Sequence, residues 1–334
     1  MSQKQWVKTE KFFPDKDIPL MITPAMDGID LVEWARNNRP YIEKLLAEHH
    51  ALLFRGFNVK SPEEFEAFIN ATSDGDLLKY VDRTTPRHSE GGKSGRVYIS
   101  TIYPPEHAIN AHNEGTYWTA WAMKLYFCCL VSPEQGGETP IFDVHKVYHH
   151  IDPDTRERFI RKKWMLVRNY NDGFGLPWQE VFQANDREEV ESYCRDHAIE
   201  YEWKGEEQLQ TRSIRPAVQK HPKTGEPLWF NHAIFYHHTT LAPAMREALV
   251  SEFTEEGLPY NTWYGDGTPI APDDAENIRQ AYRKEKVKFR WQEGDVTLLD
   301  NMYIAHAREP YVGDRRVLVG MTEPVGSNAY TLTE

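Results

Sequence analysis

The sequence predicts a mainly β protein with flanking helices, an α+β fold in which strands from both parts of the chain form the core. Apolar runs at residues 125–131 and 316–321 have the composition of buried strands, and charged segments of helical character lie between them. A second observation is that chemically matched side chains lie far apart in the sequence, at His112, Glu114 and His306. Closing a β-sandwich or barrel brings such distant strand ends together.

The composition limits the class of protein. The chain has 334 residues, of which 40% are hydrophobic and 13% aromatic, so it can bury a substantial core. The formal net charge of -12 argues against general attraction to nucleic-acid phosphates or to anionic membranes. The 3 cysteines suggest no disulfide framework, and no stretch has the length of an apolar membrane span. We therefore expect a cytoplasmic protein without a signal peptide, with no nucleic-acid partner and no membrane partner.

Residues 30–70 predict a helix, a strand and a second helix. Residues 31–46 have amphipathic spacing, and the short apolar run at 50–57 ends in a glycine turn. Ser61 is followed by Pro62 and two acidic residues, which is the pattern of a capped helix start. We therefore expect an α-β-α opening.

Residues 80–100 are polar and predict a loop. The string Gly-Gly-Lys-Ser at residues 91–94 invites comparison with a phosphate-binding loop. However, the first glycine of that motif is absent, and a strand-like run at 97–100 follows where the motif needs a helix. We therefore reject a phosphate-binding function for this string.

The rest of the chain combines strands with an inserted segment. Residues 144–215 look like an insertion, with a charged helix at 186–197 and an aromatic loop at 169–178. Further strands are expected at residues 125–131, 141–143, 228–231, 234–237, 294–301 and 316–321, and a further charged helix near 272–286. The sequence has no repeat, low-complexity tract or long linker. We therefore expect one domain spanning 1–334, with a helical and loop insertion at about 144–215.

A candidate metal site comes from three side chains. His112 and Glu114 are two positions apart, so in an extended segment both leave the same face. With His306 they would complete a 2-His-1-carboxylate triad, which non-heme Fe(II) oxygenases use with positions left open for substrates and O2. The H-x-E pattern alone is weak evidence, and His306 alone would more often be a core or surface histidine. A zinc hydrolase could use the same ligands, and a non-catalytic ligand-binding jelly roll is a third interpretation.

A series of motifs closely resembles the taurine dioxygenase-like (TauD/TfdA) family of Fe(II)- and 2-oxoglutarate-dependent oxygenases. After His112-Asn113-Glu114, the matching motifs are Gly136-Gly137-Glu138-Thr139-Pro140, Trp229-Phe230-Asn231, Gly294-Asp295, Asp300-Asn301, His306-Ala307-Arg308 and Gly313-Asp314-Arg315-Arg316. Their order and spacing, from about Phe54 to Met321, are highly specific. The resemblance implies a double-stranded β-helix (jelly-roll) core of the clavaminate synthase-like type, with Fe(II), 2-oxoglutarate as cosubstrate and O2.

The resemblance also implies a catalytic centre in which His112, Glu114 and His306 ligate iron. Most of the family has an aspartate at the position of Glu114, whereas clavaminate synthase-like members share the glutamate. Halogenating members of the wider superfamily have a small residue there. The carboxylate of Glu114 therefore implies hydroxylation, or less often desaturation or ring closure.

For the cosubstrate, the resemblance implies that Arg316 pairs with the distal carboxylate of 2-oxoglutarate and that the Thr139 hydroxyl helps. A planar guanidinium binds a carboxylate through two charge-assisted hydrogen bonds, and a hydroxyl can donate a third. Thr139 could instead be a turn residue. The neighbouring Arg315 is expected to face solvent or a salt bridge, because adjacent strand residues point to opposite faces. Four residues after Arg316, where taurine dioxygenase has a second arginine, this chain has Gly320, which argues against taurine as the substrate.

Within the family, the chain most resembles the branch associated with amino-acid hydroxylation in nonribosomal peptide pathways, similar to the syringomycin aspartyl hydroxylase. This implies hydroxylation of an amino acid or an amino-acid-derived small molecule, for example in antibiotic biosynthesis. Presentation of the substrate by a carrier protein is a hypothesis from the same resemblance. Candidate substrate-binding residues are Arg87, Tyr117 and Asn231, although solvated loop arginines and core aromatics are common. The sequence leaves the oligomeric state open, a homo-oligomer included.

Overall fold

A computed structural model of the chain describes residues 6–80, 89–100, 103–170 and 175–327. The helices in these ranges are α1 (Leu31–His49), α2 (Pro62–Thr72), α3 (Val144–His150), α4 (Pro153–Lys162), α5 (Trp178–Phe182), α6 (Arg187–Asp196), α7 (Pro243–Gly257) and α8 (Pro272–Glu285). The strands are β1 (Val7–Lys11), β2 (Leu20–Pro24), β3 (Ala51–Phe54), β4 (Ser89–Gly91), β5 (Val97–Ile99), β6 (Ile109–His112), β7 (Ala120–Val131), β8 (Gln135–Gly136), β9 (Ile141–Asp143), β10 (Trp164–Tyr170), β11 (Glu200–Lys204), β12 (Gln208–Arg215), β13 (Val218–Lys220), β14 (Pro227–Trp229), β15 (Tyr260–Tyr264), β16 (Val296–Asp300), β17 (Ile304–Arg308), β18 (Tyr311–Val312) and β19 (Arg316–Gly326). In this part of the chain, none of the helices combines the length and the apolar character needed to cross a membrane.

The largest sheet has its strands in the order β1-β2-β3-β16-β7-β19-β5-β4. Neighbouring strands are antiparallel except β2 and β3, which are parallel. Its central strands are buried at successive positions, because both faces of the sheet are covered. The strands expected at 125–131, 294–301 and 316–321 are therefore confirmed as β7, β16 and β19.

The two faces of the large sheet bury different sets of side chains. On one face, Leu318 of β19 belongs to a core shared with Trp34 of α1 and Phe68 of α2. On the other face, Val317 and Val319 of the same strand belong to the larger core of the molecule. Consecutive residues of β19 therefore face opposite layers, as the alternation of side chains along a strand requires.

A smaller sheet, in the order β6-β17-β9, lies over the second face of the large sheet. Its strands are antiparallel, and His306 of β17 is the direct partner of His112 in β6. The ring centroid of His306 is 5.0 Å from that of Phe127 in β7, so the two sheets are in contact at this point. This two-layered β arrangement joins segments that are distant in the sequence, as expected.

The helices near the ends of the chain follow the sequence patterns. The predicted α-β-α opening is confirmed as α1, β3 and α2, and the predicted helix near 272–286 is confirmed as α8. Ser61 caps α2, since its side chain accepts a hydrogen bond from the backbone N–H of Glu64 at 3.2 Å.

The segment between β9 and β16 contains a separate sheet in the order β11-β12-β10-β15. The prediction of only helices and loops for 144–215 is wrong for β10, β11 and β12, although its helix at 186–197 is confirmed as α6. Polar composition conceals β11 and β12, whereas β10 begins with an apolar run, Trp164-Met165-Leu166-Val167, that the prediction did not use. For example, Arg215 of β12 is buried because its guanidinium donates hydrogen bonds to backbone carbonyl groups, including that of Tyr117.

Two further expectations concern loops in this part of the chain. The strand predicted at 234–237 is wrong, because the described backbone forms turns there and then a short 3-10 helix, His238–Thr240. The aromatic loop predicted at 169–178 lies partly outside the described residues. The single domain over 1–334, with its insertion boundaries, remains a prediction.

The Gly-Gly-Lys-Ser string at 91–94 contacts a carboxylate of the chain itself. The backbone N–H groups of Lys93 and Ser94 donate hydrogen bonds to the buried carboxylate of Glu66 in α2, the second at 3.0 Å. Gly92 has a φ of 75°, and a Cβ atom at this position would collide with the same carboxylate. The string therefore fastens the β4–β5 hairpin to α2.

We expect Gly92→Ala to destabilise the fold more than Gly28→Ala. Gly28 has a φ of 80° and no atom within 4 Å of an added Cβ, so its variant reports the backbone strain alone, about 1–2 kcal/mol. Gly92→Ala adds the collision with Glu66 and weakens the hydrogen bonds to it, for a total of about 2–4 kcal/mol. Free energies of unfolding from urea denaturation measure the difference, and equal losses would contradict the role given to Glu66.

Candidate metal centre

The three predicted metal ligands come together in the structure. One ligand atom each from His112, Glu114 and His306 lies within 4.8 Å of the other two, and all three residues are buried. The pairing of His306 with His112 across β17 and β6 places the two imidazole rings 4.3 Å apart. Glu114 follows two residues after His112, at the exit of β6. The predicted convergence of two distant segments is therefore found.

The chemistry of these donors fits a divalent metal ion. The Nδ1–H of His112 donates a hydrogen bond to the carbonyl oxygen of Asn110 at 2.8 Å, which fixes the tautomer with its lone pair on Nε2. Two imidazole nitrogens and one carboxylate oxygen on one side of an ion are the facial set that non-heme Fe(II) sites use. Three donors within this distance leave coordination positions for other ligands.

Asn301 holds the loop that carries Glu114. Its side-chain oxygen accepts a hydrogen bond from the backbone N–H of Glu114 at 2.8 Å, and its amide nitrogen donates to the carbonyl oxygens of Glu114 at 2.9 Å and Ala122 at 2.8 Å. Asn113 in turn donates to the carbonyl oxygen of Asn301 at 2.7 Å. Since Asn301 is fully buried, these bonds form without competition from water. The residue orients a metal ligand without itself being one.

We expect Asn301→Asp to weaken metal binding. The aspartate keeps the shape of the side chain but turns an oxygen towards the carbonyl groups of Glu114 and Ala122, which therefore lose their donor. Loss of an outer partner of this kind lowers metal affinity by about 10- to 100-fold. Equilibrium dialysis with Fe(II) under nitrogen measures the change, and Asn37→Asp, on the exposed surface of α1, is the control. An unchanged affinity would contradict the orienting role.

A small cavity lies beside the triad and contains the second feature of the site. Its described lining includes all three ligands together with Thr139, Ser100 and Arg315. Phe127 and Val319 supply apolar walls. The cavity thus joins a metal-ligand set to a guanidinium and two hydroxyl groups.

Arg315 is the arginine that faces this cavity. Its guanidinium donates hydrogen bonds to the carbonyl oxygen of Gly137 at 2.9 Å, to Ser100 Oγ at 3.0 Å and to Thr139 Oγ1 at 3.2 Å. Burial lowers the pKa of Arg315 to about 10, and repulsion from Arg308 adds to this effect. Within the described part of the chain, its hydrogen-bond partners are these three neutral oxygens, so the site would gain stability from an anion.

Thr139 has a hydroxyl proton to offer in the same cavity. Its oxygen accepts hydrogen bonds from the Arg315 guanidinium at 3.2 Å and from the indole N–H of Trp291 at 3.1 Å. A hydroxyl has two acceptor lone pairs and one proton, so these two donors occupy the lone pairs. The proton is left to donate to a ligand, which fits the role predicted for Thr139.

The prediction that Arg316 faces the cosubstrate cavity is wrong. Arg316 points to the other side of β19, where its guanidinium binds the carboxylate of Glu90 at 2.7 Å and is half exposed. Arg315 lines the cavity together with Val319, four residues further along the same strand direction. The position four residues after the cavity arginine is therefore Val319 and not Gly320. Val319 has no charge that could bind a sulfonate, so the argument against taurine as the substrate also holds when the positions are counted from Arg315.

Arg308 is a second buried guanidinium in the lining of this cavity. It donates hydrogen bonds to the backbone carbonyl oxygens of Tyr103, Pro104 and His107, at 2.8, 2.7 and 2.6 Å. That segment also lines the neighbouring cavity described next. Arg308 therefore lies in the wall of the small cavity and at the same time holds the backbone of a segment that forms the wall of the larger one.

A larger cavity of about 440 Å³ opens on the other side of the triad. Tyr117, His232 and Phe235 line it together with His112 and Glu114. The pKa of His232 is held well below its usual range by burial and by repulsion from His112, so the imidazole is neutral. Its size and mixed aromatic and polar walls suit a small-molecule substrate.

The three predicted substrate-binding residues lie in different places. Tyr117 lines the larger cavity, with its ring perpendicular to that of His232 at 5.3 Å. Asn231 lines an adjoining cavity instead, and its side chain already bonds to the carbonyl oxygen of Ala217 at 2.7 Å and the N–H of Ala233 at 3.0 Å. Arg87 lies outside the described residues.

Sequence reasoning did not select Ser100, His232 or Arg315 as site residues. Ser100 is the last residue of the strand-like run at 97–100, and nothing in its surroundings marks it. His232 forms a hydrogen bond with Thr116 and lies on the wall of the larger cavity. For Arg315, the apolar run that follows it gives no signal, because Val317, Leu318 and Val319 are all buried.

A β-sandwich that holds a buried 2-His-1-carboxylate triad beside a buried arginine has the fold and the site of the Fe(II)- and 2-oxoglutarate-dependent oxygenases. The family model described as "Taurine catabolism dioxygenase TauD, TfdA family" matches residues 14–322. The chain therefore belongs to the TauD/TfdA family and is an Fe(II)- and 2-oxoglutarate-dependent dioxygenase. Enzymes of this family use Fe(II), 2-oxoglutarate and O2, as the resemblance implied.

Relatives and solved structures agree with this assignment. The dapdiamide synthesis protein DdaC of Enterobacter agglomerans is 35% identical over 288 residues, covering 86% of this chain and 86% of DdaC. A clavaminate synthase-like protein of Arabidopsis thaliana is 28% identical over 334 residues, covering 94% of this chain and 96% of the relative. The crystal structure of PvcB from Pseudomonas aeruginosa aligns with a TM-score of 0.56 at 15% identity, covering 95% of this chain and 91% of PvcB. This last likeness confirms the predicted jelly-roll fold.

Proposed function

We propose that this dioxygenase hydroxylates an unactivated C–H bond of an amino acid or an amino-acid-derived group in the biosynthesis of a specialised metabolite. The observation that carries the proposal is that the triad lies between two cavities, one containing Arg315 and the other large enough for a substrate. The names of relatives support the metabolic context, since DdaC is a dapdiamide synthesis protein and PvcB is described as an oxygenase from an isonitrile synthetic pathway.

In this proposal His112, Glu114 and His306 hold Fe(II). Bound Fe(II), with 2-oxoglutarate and O2, supplies an oxidant able to attack an unactivated C–H bond. His112 through its Nε2 atom, His306 through a ring nitrogen and Glu114 through its carboxylate would hold the ion and would leave coordination positions for the cosubstrate and O2. Because Glu114 is a carboxylate, no small residue opens a position for chloride, and hydroxylation is the expected outcome.

Arg315 and Thr139 bind the distal carboxylate of 2-oxoglutarate in the proposed site. The guanidinium offers charge-assisted hydrogen bonds, and Thr139 donates its proton. Thr139 is buried and Arg315 is half-buried with its guanidinium in the cavity, so the carboxylate exchanges water for fixed donors. Phe127 and Val319 keep the remaining walls dry, which strengthens these electrostatic interactions.

The larger cavity beside Tyr117 and His232 receives the substrate. Its carbon to be oxidised lies next to the open side of the metal, since His112 and Glu114 are part of the same wall. A carrier-protein-bound form of the substrate remains part of the proposal. It fails if the free amino acid is turned over as efficiently as the carrier-loaded form.

The test of this function begins without O2. Adding Fe(II) and 2-oxoglutarate to the protein is expected to produce the weak visible charge-transfer band of a metal-bound keto acid, and amino acids and their amides are then screened for changes in that band. With O2, a product that has gained one oxygen atom indicates hydroxylation. A product that has lost two hydrogen atoms indicates the alternative, desaturation or ring closure on a small carboxylate.

The zinc hydrolase with the same ligands is the second alternative. Zinc would support hydrolysis in the absence of O2, whereas the proposed reaction depends on Fe(II), 2-oxoglutarate and O2 together. Membership of a dioxygenase family favours the oxygenase, and so do the hydrogen-bond partners of Arg315, which are a carbonyl oxygen and two hydroxyl oxygens and leave its charge for an anionic cosubstrate. Zinc-dependent turnover without 2-oxoglutarate would reject it.

A further inference from the structure

A third cavity, of about 230 Å³, adjoins the proposed substrate cavity. The two share part of their walls, including Ile109, Asn110, Phe235 and Thr240. Phe235 lies close to the metal site, with its ring centroid 4.7 Å from that of His112. A molecule that extends along this shared wall would reach from the metal centre into the third cavity.

The third cavity has a cationic wall formed by α8 and the residue that follows it. Arg279, Arg283 and Lys286 line it, while Glu309 is the carboxylate in its described lining. Lys286 is paired with Glu309 at 2.5 Å. Arg283 is paired with Glu276, which precedes it on the same helix. Among the described residues, Arg279 is therefore the cation of this wall that lacks a close carboxylate partner, in a protein whose net charge is -12.

Arg279 is the cation of this wall that is least well paired with carboxylates. It is half-buried, and its guanidinium donates to the hydroxyl oxygens of Thr239 at 2.5 Å and Thr240 at 3.4 Å, while Glu276 lies at 3.9 Å. Burial lowers the pKa of Arg279, the carboxylate of Glu276 opposes this in part, and repulsion from Arg283 and Arg246 adds to the lowering. An anion bound here would relieve both costs.

The substrate cavity differs sharply in charge from this wall. Among its described lining residues, Glu114 is the one carboxylate, and there is no lysine or arginine. Burial lowers the pKa of His237 to about 3, so this imidazole of the wall is neutral. The carboxylate of an amino-acid head group would therefore find no cationic partner among these residues, whereas an amide, ester or aromatic group would be accommodated.

Building on the proposed function, we infer that the substrate is an elongated molecule with a neutral reacting end at the metal and an anionic group, phosphate or carboxylate, bound by Arg279 and Arg283 in the third cavity. The shared wall along Ile109 and Phe235 joins the two ends of such a molecule. A guanidinium is the residue type that recognises both anions. Carrier presentation would supply a phosphate, and a free substrate would supply a carboxylate.

Two matched pairs of probes separate these sources. The phosphate pair is 4′-phosphopantetheine and pantetheine, and the carboxylate pair is adipamic acid and adipamide. Binding is measured by calorimetry without O2, on enzyme loaded with Fe(II) and saturated with 2-oxoglutarate, which keeps carboxylates away from Arg315. We expect the charged member of at least one pair to bind about tenfold more tightly than its neutral partner, as charge-assisted hydrogen bonds provide.

Variants then connect this preference to the cationic wall. Arg279→Gln is expected to remove most of the preference, and Arg283→Gln, at an exposed position where folding is not at risk, to reduce it. Lys284→Gln on the same helix is the control, since Lys284 does not line the cavity. Equal binding of charged and neutral probes, or no measurable binding of either, would overturn the inference while the charge-transfer band still forms. Failure of that band would instead reject the proposed function itself.

Discussion

Replacing His306 with alanine is expected to abolish the Fe(II)/2-oxoglutarate charge-transfer band and all turnover. His306 supplies one of the three donor atoms that lie within 4.8 Å of one another. Its removal leaves His112 and Glu114, which lie at and just after the end of β6, as the remaining ligands. Losing a ligand costs more than the roughly 10- to 100-fold in metal affinity that follows loss of an outer partner. Fe(II) affinity by equilibrium dialysis and the band itself, both under nitrogen, measure the effect.

Two controls keep this result specific to the metal. His149→Ala removes an exposed histidine of α3, far from the triad in the fold, and is expected to retain the band. The unfolding midpoint of His306→Ala shows whether the sandwich survives, since the imidazole also packs against Phe127. A folded His306→Ala protein that binds Fe(II) as tightly as the wild type would contradict the assignment of this ligand.

The ligand triad could be predicted because its evidence is chemical and local. His112 and Glu114 are two positions apart, a spacing that puts both side chains on one face of an extended segment. In the structure β6 ends at His112, and Glu114 lies in the turn that follows, where Asn301 holds its backbone. The contribution of His306 depended on motif order along the chain, and the pairing of β17 with β6 gives the physical reason for it. The supporting contacts of Asn301 are a different case, since the motif containing it gave no sign that its amide bonds to the backbone of Glu114.

The arginine in the cosubstrate cavity could not be assigned from the sequence in the same way. In a strand with one buried face, polar and apolar residues alternate and reveal which side faces the core. Strand β19 is buried on both faces, with Leu318 in the core shared with α1 and α2 and with Val317 and Val319 in the larger core on the other face. Its sequence is therefore apolar at successive positions, and the pattern alone does not show which of two adjacent arginines faces inward.

The missed sheet of β10, β11, β12 and β15 has a related cause. Its strands bury polar side chains that the rest of the fold satisfies, as the carbonyl partners of Arg215 do. Burial of this kind depends on hydrogen-bonding groups from distant segments of the chain. A prediction from neighbouring residues alone therefore assigns these polar residues to the solvent-exposed surface. The predicted metal chemistry was unaffected because the triad lies on strands outside this sheet.

The adjacent arginines allow a direct test of the cosubstrate site. Arg315→Gln is expected to weaken 2-oxoglutarate binding by roughly 30-fold or more, because truncating one partner of a buried, hydrogen-bonded charge pair costs about 2–5 kcal/mol. Arg315→Lys should recover part of the affinity, since an ammonium keeps the charge but not the paired N–H donors. Arg316→Gln is the matched control: it loses an ion pair with Glu90 that is half exposed and contributes at most about 1 kcal/mol to stability.

The readout is the 2-oxoglutarate concentration that half-saturates the charge-transfer band at fixed Fe(II). For Arg315→Gln the band should still form at high 2-oxoglutarate, because the keto-acid end binds the metal and not the guanidinium. For Arg316→Gln the half-saturating concentration should match that of the wild type. Impaired 2-oxoglutarate binding in Arg316→Gln, with normal binding in Arg315→Gln, would contradict this assignment. It would mean that Arg316 binds the cosubstrate, although Arg315 is the arginine that contacts Thr139 and lines the cavity with Val319.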